Sequence, residues 1–378
     1  MVSLRMASIH ESTTLKISAM AKKLAASGQD IIDMGVGEPD FDTPKHIVEA
    51  GCSSIKNGET RYAPTAGIPE LRQAIAEKLC RENSLNLTAD DVVVTPGAKM
   101  AVFAAIQALL SEGDECLLIG PSWVSYEPCV TFAGGRVAWG SVDSNFMPQN
   151  LSESINSRTK LIIVNSPSNP TGSVFDRRVL EEIRDLAVDH NLSVISDEIY
   201  EKIIYDHDHV SIGSMAGMAD RTVTINGFSK AYAMTGWRLG YLAGPKEPMK
   251  WVIRLLSHSV SQATTFVQRA GLVAMKGPQD DVGNMVKEFQ VRRDMLIAGL
   301  KDLGISCSVP GGAFYLFPDV SAMGGGDAFA DRLLKEALIA ATPGSAFGPG
   351  GADHIRLSYA TSQSRIKQSL ERIEKIVK

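Results

Sequence analysis

RTVTINGFSKAYAMTGWRLGY, residues 221–241, is the stretch whose reading decides the fold. It opens as a β-prone run, TVTIN, and then sets Lys230 among Gly, Phe, Ser, Ala and Tyr rather than on a charged face. Arg238 follows on the same segment. A lysine on a solvated surface is the ordinary case. A partly desolvated amine beside another cation is different: it loses basicity and becomes a nucleophile towards aldehydes.

Outward from this segment, short apolar runs alternate with helical patterns. DVVVT (91–95), ECLLIG (115–120), LIIVN (161–165), LSVIS (192–196) and YLAGP (241–245) are interleaved with GAKMAVFAAIQALLSEG (97–113) and DRRVLEEIRDLAVDH (176–190). Val/Ile/Leu runs between longer amphipathic segments predict a mostly parallel sheet with helices on both faces. Residues 42–285 read as one large α/β domain. VGNMVKEFQVRRDMLIAGLKDLG (282–304) is a long helix closed by Gly304, followed by alternating ISCSV (305–309) and GAFYLFP (312–318) and two more helical stretches. These make a smaller α+β domain over 286–378, joined by the first 41 residues, which hold a helix, KISAMAKKLAASG, and a strand, DIIDMGVG. A chain of 378 residues accommodates two such cores.

The composition sets limits on partners. With 44% hydrophobic and 21% charged residues, a formal net charge of -5 and a pI of about 5.9, the chain advertises neither nucleic acid nor an anionic membrane as a partner. MAVFAAIQALLS (100–111) is too short to span a bilayer and the first sixteen residues lack a signal-peptide core, so a cytoplasmic location is expected. The five cysteines are scattered without a CxxC pair, which predicts buried thiols and no disulfide framework. HDH at 207–209, next to the charged Asp206, reads as a solvated loop rather than a metal site.

In open α/β sheets ligands bind beyond the carboxyl ends of the strands. After DVVVT comes PGAK, where a helix start can hold an anion such as phosphate, or be only a helix start. After LIIVN comes SPSNPTG, a turn that fixes a side-chain amide at the sheet edge or merely connects. After LSVIS comes DEIY, whose Asp197 can balance a cationic ring or cap a helix. After TVTIN comes Lys230, with Arg238 able to fork onto a phosphate. An aldehyde, a phosphate and a pyridinium nitrogen in need of an acidic partner together describe pyridoxal 5′-phosphate.

GVGEPDFDTP, RYAPTAGIPELR, PSWVSY, NSPSNPTG, SDEIY, GFSKAYAMTGWRLGY, GGAFY and HIRLSYATS, in this order, resemble the motifs of the class I aminotransferases of pyridoxal-phosphate fold type I, and most closely the bacterial and archaeal aspartate aminotransferases of subgroup Ib. The likeness runs from about residue 10 to 375. It implies the fold type I architecture, a large domain around a mostly parallel seven-stranded sheet plus a smaller α+β domain, and a homodimer with shared active sites. It also implies the roles of single residues. Lys230 is the Schiff-base lysine and proton shuttle, Asp197 pairs with the pyridinium nitrogen, and Tyr200 and Asn169 hydrogen-bond the ring's 3-hydroxyl oxygen. Trp123 stacks on the ring. Arg238, the backbone around Gly97, Ala98 and Lys99, and Tyr62 of the partner subunit hold the phosphate. Arg356 forks onto the substrate α-carboxylate, with Gly37 in the loop beside it and Trp123 and Asn169 close to the substrate. The Asn169–Pro170 peptide is implied to be cis.

One departure concerns the phosphate. Many relatives carry a serine three positions before the lysine, where this chain has Gly227; Ser229 stands next to Lys230. Substrate choice turns on a second carboxylate, which must not be buried unpaired. The stretch SHSVSQATTF (257–266), where animal-type relatives supply an arginine, has none, and Arg254 lies just upstream. In subgroup Ib a lysine at the position of Lys99 can take this task. The expected reaction is ping-pong transfer of an amino group from an L-amino acid, aspartate or glutamate foremost, to a 2-oxo acid such as 2-oxoglutarate. Relatives acting on aromatic amino acids, alanine or prephenate share most of these motifs, as do fold type I carbon–sulfur lyases. A pyridoxal-phosphate-sensing regulator would need a DNA-binding module, for which the thirty-odd residues before GVGEPDF are too few, and no GxGxxG follows a strand as a nicotinamide enzyme requires.

Overall fold

The apolar runs between residues 91 and 245 become the body of one eight-stranded sheet in the computed structural model, which describes residues 4–7, 9, 11 and 13–378. Its strands are β1 (Val92–Thr95), β2 (Glu115–Ile119), β3 (Arg136–Val142), β4 (Pro148–Gln149), β5 (Thr159–Asn165), β6 (Ser193–Asp197), β7 (Thr222–Gly227) and β8 (Gly240–Ala243). Their spatial order is β1-β8-β7-β6-β5-β2-β3-β4. From β7 to β3 all pairs are parallel, whereas β8 is antiparallel to both its neighbours and β4 is antiparallel to β3. The seven strands expected are present, and the two-residue β4 adds an eighth at the edge.

Helices cover both faces, which is why the central strands are unbroken apolar runs. The helices that bear on the site are α1 (Thr13–Ala26), α2 (Pro69–Asn83), α3 (Ala98–Leu109), α4 (Arg177–Asp189), α5 (Asp280–Asp302) and α6 (Gln363–Val377). On one face α3 packs Ala101, Ala105 and Ile106 onto Val93, Ile195 and Ile225. On the other, α4 presents Val179, Leu180, Ile183 and Ala187 to Ile162 and Val194. The start of α4 is fixed by Asp176, whose carboxylate accepts the Val179 N–H at 2.9 Å, a cap that contributes about 1 kcal/mol.

A second core gathers Ile32, Met34, Phe289, Leu300, Phe314 and Leu357 around α5 and α6. Over it lies a small antiparallel sheet of β9 (Tyr315–Leu316), β10 (Thr342–Pro343) and β11 (Ile355–Ser358), in the order β9-β11-β10. Ile32–Asp33 pairs in parallel with Ile339–Ala340. ISCSV, expected as a strand, forms none: Ile305 is in the core, but Val309 is 65% exposed and Pro310 has no N–H to extend a ladder.

The reversed direction of β8 matters most for function. Gly240, its first residue, pairs with Gly227 at the end of β7 and with Thr95 at the end of β1. Arg238 therefore emerges at the same sheet edge as the carboxyl ends of the parallel strands. A side chain on Gly240 would collide with the Ala98 nitrogen, so this glycine permits the loop after β1 to close in.

Candidate active site

Asp197 ends β6, Lys230, Tyr200 and Asn169 are carried by the segments that follow β7, β6 and β5, and Arg356 reaches in from β11. They line one cavity of about 450 Å³, together with Gly37, Ala98, Lys99, Trp123 and Arg238. The register of the sheet aligns the acid side of the site, because Asn165 and Asp197 end adjacent strands as partners.

Asp197 is buried, accepting the Tyr126 O–H at 2.7 Å and the Ile199 N–H at 3.3 Å. Burial lifts its pKa to about 6 against the pull of those donors. The Lys230 amine donates to the Gly37 carbonyl and lies 5.8 Å from the Tyr200 ring centre. Burial first, and then the positive charges of Arg356 and Arg238, lower its pKa to about 8. The Tyr200 hydroxyl meets that of Tyr315 at 2.8 Å, and burial raises its pKa well above that of an ordinary phenol.

Arg356 donates to Asn169 Oδ1 at 2.9 Å and to the Gly35 carbonyl at 2.6 Å. The ring centres of Tyr315 and Phe347 lie 4.5 and 5.1 Å from its guanidinium carbon. Its Nε is buried with no hydrogen-bond partner among the described residues, the kind of unsatisfied donor that marks a ligand site. The Asn169–Pro170 peptide is cis, as are Ser166–Pro167 and Gly120–Pro121.

The anion-holding end of the cavity is built from backbone. The ladder of α3 begins with the Met100 N–H bonded to the Gly97 carbonyl, leaving the Ala98 and Lys99 N–H groups at the helix start, where the dipole is positive. Gly97 sits at φ +82°, and a Cβ there would lie 2.6 Å from an Arg238 guanidinium nitrogen, so only glycine lets that cation approach the loop. Lys99 keeps much of its surface exposed, yet its ammonium lies 5.1 Å from the Trp123 ring centre, and burial at that end lowers its pKa. Trp123 in turn meets Tyr126 edge-on at 5.2 Å.

Of the expected site residues, Gly97 and Tyr62 do not line this cavity; Gly97 lies against Arg238, whereas Tyr62 stands apart at 89% exposure. Gly227 has a structural reason, since a Cβ there would lie 3.0 Å from the Gly240 Cα, while Ser229 lines the cavity. Sequence reasoning passed over Tyr126, Tyr315 and Asn165, although PSWVSY, GGAFY and LIIVN contain them. The helix expected in KISAMAKKLAASG is α1, but its place at the site was not foreseen: Thr14, Leu15, Ser18 and Lys22 reach the cavity. HDH is corrected in part: His207 and Asp208 are exposed, but His209 turns inward to Glu198 at 2.9 Å. Of the cysteines, expected to be buried, Cys52 and Cys80 are exposed, and all five are free thiols. No described helix is long and apolar enough to cross a membrane.

A buried amine, a buried carboxylate and a glycine-lined anion cradle at the carboxyl edge of a parallel sheet define a transferase site of the kind this fold is built around. The chain belongs to the class I and II aminotransferases, whose family model matches residues 29–373. It is 42% identical to the aspartate/prephenate aminotransferase of Thermus thermophilus over all of this chain and 98% of that protein. It is also 42% identical to the aspartate aminotransferase of Geobacillus stearothermophilus, over 99% of this chain and 98% of that one. A solved structure of the Thermus thermophilus aspartate aminotransferase with maleate superposes with a TM-score of 0.97, at 41% identity, covering all of this chain and 99% of that one.

Proposed function

We propose that this aminotransferase uses pyridoxal 5′-phosphate to move the amino group of aspartate or glutamate to a 2-oxo acid such as 2-oxoglutarate. The observation that carries the reading is the convergence, in one cavity, of Lys230, Asp197, the Gly97–Arg238 cradle and two separate cations for carboxylates, Arg356 and Lys99. The residues fit the cofactor. Arg238 and the N–H groups at Ala98 and Lys99 would hold its phosphate, Asp197 its ring nitrogen, Tyr200 and Asn169 its hydroxyl oxygen, and Trp123 one ring face. When bound, that ring supplies an electron sink for the pair left behind when a substrate Cα loses its proton. Tyr62 is read as a contact made to the partner subunit of a homodimer, a role its exposure supports.

The chain's own groups divide the remaining work. Arg356 binds the α-carboxylate by its fork and so fixes the orientation of Cα. Lys230, with its lowered pKa, takes the Cα proton and returns it as a general acid. Gly35 to Gly37, Tyr315 and Arg356 face the residues of the large sheet across the cavity, so closure of a small domain (1–41 and 286–378) on a large one (42–285) would exclude water. Lys99 meets the distal carboxylate. A four-carbon dicarboxylate, maleate, is bound by the Thermus enzyme that this chain superposes on, which supports that choice. Prephenate, named for the Thermus relative, also carries two carboxylates and would draw on the same pair of cations.

The test is a half-reaction titration of the loaded protein with aspartate, glutamate, alanine and phenylalanine, followed in the visible spectrum. Aspartate and glutamate are expected to convert the spectrum at the lowest concentrations. Lys99→Ala is expected to weaken both by about 10–100-fold, the worth of one charge-assisted hydrogen bond, and to leave alanine and phenylalanine within a few-fold. Equal losses for all four would remove Lys99 from distal recognition. With cysteine, whose thiol can leave from Cβ, release of sulfide, pyruvate and ammonia without an oxo-acid acceptor would point to a lyase instead.

The amine itself gives a pH signature. Lys230 is the nucleophilic free base above its pKa, so uptake of the aldehyde by the cofactor-free protein is expected to accelerate with rising pH through a midpoint of about 8. An exposed lysine would not turn until near 10.4. Stopped-flow uptake rates from pH 6 to about 10 check this, and a rate that is flat across the window would mean the amine is not so depressed.

A further inference from the structure

Behind the turn that carries Asp197 and Tyr200 lies a buried polar cluster that the transfer chemistry does not use. Glu198 is 1% exposed and its two oxygens accept four side-chain hydrogen bonds. Ser196 and Ser211 hydroxyls donate to one oxygen at 2.8 and 2.6 Å, and Asn83 Nδ2 and His209 Nε2 lie 2.8 and 2.9 Å from the other. Glu201 takes the Lys78 ammonium and the Asn83 amide at 2.6 Å, with His209 Nε2 3.8 Å away. Lys78 and Asn83, themselves 2.7 Å apart, belong to α2, so the cluster ties that helix to the catalytic turn.

Charge decides what the cluster does. Two carboxylates face Lys78 and His209, and they balance only if the imidazole carries a proton. A neutral ring leaves one net negative charge on the residue next to Asp197. Glu198, Glu201 and His209 could in composition hold a metal ion, with ligand atoms within 4.8 Å of one another. The Lys78 ammonium already supplies the positive charge at that point, which makes the group an ion cluster.

We propose that Glu198 and His209 are positioning residues for Asp197: His209, kept as an imidazolium between Glu198 and Glu201, cancels the negative charge behind the catalytic turn and so sets the potential at the Asp197 carboxylate. The groups facing His209 are Glu198 and Glu201 from the turn and Lys78 from α2, with Glu82 3.7 Å from Lys78 and the Tyr232 and Tyr241 phenols within the field of Glu201. Burial disfavours the imidazolium, yet Glu198 and then Glu201 more than offset it and hold the His209 pKa above the ordinary value. The Glu198 charge likewise pushes the Asp197 pKa upwards.

The test has two arms, of which only the second rests on the cofactor reading. In the first, the cofactor-free full chain, labelled at histidine carbon, is titrated by NMR. His209 is expected to stay protonated past the ordinary histidine midpoint, and Glu198→Gln to bring that midpoint down by about one pH unit. Asp197→Asn is expected to lower it by several tenths, because electrostatic coupling between two sites is reciprocal. In the second arm, the pH midpoint of the visible band is followed in protein loaded with pyridoxal 5′-phosphate. His209→Gln adds negative potential, which favours the protonated form, and is expected to raise that midpoint by about half a unit. Glu198→Gln is expected to lower it, and the double variant to return towards the unaltered protein.

A His209 that titrates at the ordinary value overturns the proposal. So do single variants whose band midpoints stay put or move the same way while Tm falls, since that pattern belongs to a merely structural cluster. Unaltered protein that binds no cofactor would instead fail the functional reading and leave the NMR arm to decide this one.

Discussion

Lys230→Ala is expected to lower transamination of aspartate by on the order of 10⁴-fold, the upper range for losing a positioned acid–base group. The expectation follows from where the amine sits. Its surroundings bring its pKa to about 8, close to a working pH, so both its protonated and free forms are accessible. Asp197, with a pKa of about 6, is held in place by the Tyr126 hydroxyl. Lys230→Arg separates charge from chemistry. It keeps a cation near Gly37 and Tyr200, but a guanidinium does not lose its proton in a protein, so activity is expected to stay as low as in the alanine variant. The measurement is single-turnover conversion by each purified variant after confirming an unchanged melting temperature. Activity within about tenfold of the unaltered protein in either variant would take the proton transfer away from Lys230.

Much of this was legible in the sequence, and the limits have physical causes. The buried parallel strands announced themselves because a sheet covered on both faces needs consecutive apolar residues, as in LIIVN and TVTIN. RVAWGSV, the strand β3, lies near the sheet edge with most of its residues partly exposed, so it carries no such run and was not read. The direction of β8 was also hidden, since YLAGP looks the same whichever way it pairs. That direction is what brings Arg238 to the site. Lys230, Asp197 and Asn169 were found because each follows a strand in sequence. Tyr126 and Tyr315 were not, because their roles are contacts with Asp197 and Tyr200 across 71 and 115 residues of chain. His209 misled for the same reason: it follows Asp206, His207 and Asp208 in a polar stretch of sequence, while its neighbour in space is Glu198.

Arg356→Leu is expected to reduce kcat/KM by about 10²–10³-fold for aspartate, alanine and phenylalanine alike, the cost of removing one member of a buried, hydrogen-bonded charge pair. Equality across substrates is the informative part, because every amino acid presents an α-carboxylate, whereas only the dicarboxylates have a second group for Lys99. The guanidinium is 3% exposed, between the Tyr315 and Phe347 rings, with two donors committed to Asn169 and Gly35 and Nε unpaired. It is therefore preorganised, and little is lost in ordering it when the carboxylate arrives. Arg356→Lys keeps a positive charge but not the fork, and is expected to recover only part of the loss, because a single ammonium cannot serve Asn169, Gly35 and a carboxylate with the same geometry. Steady-state kinetics with the three substrates check both variants, alongside Lys99→Ala. A loss confined to aspartate in Arg356→Leu would exchange the tasks of the two cations and place the α-carboxylate at Lys99.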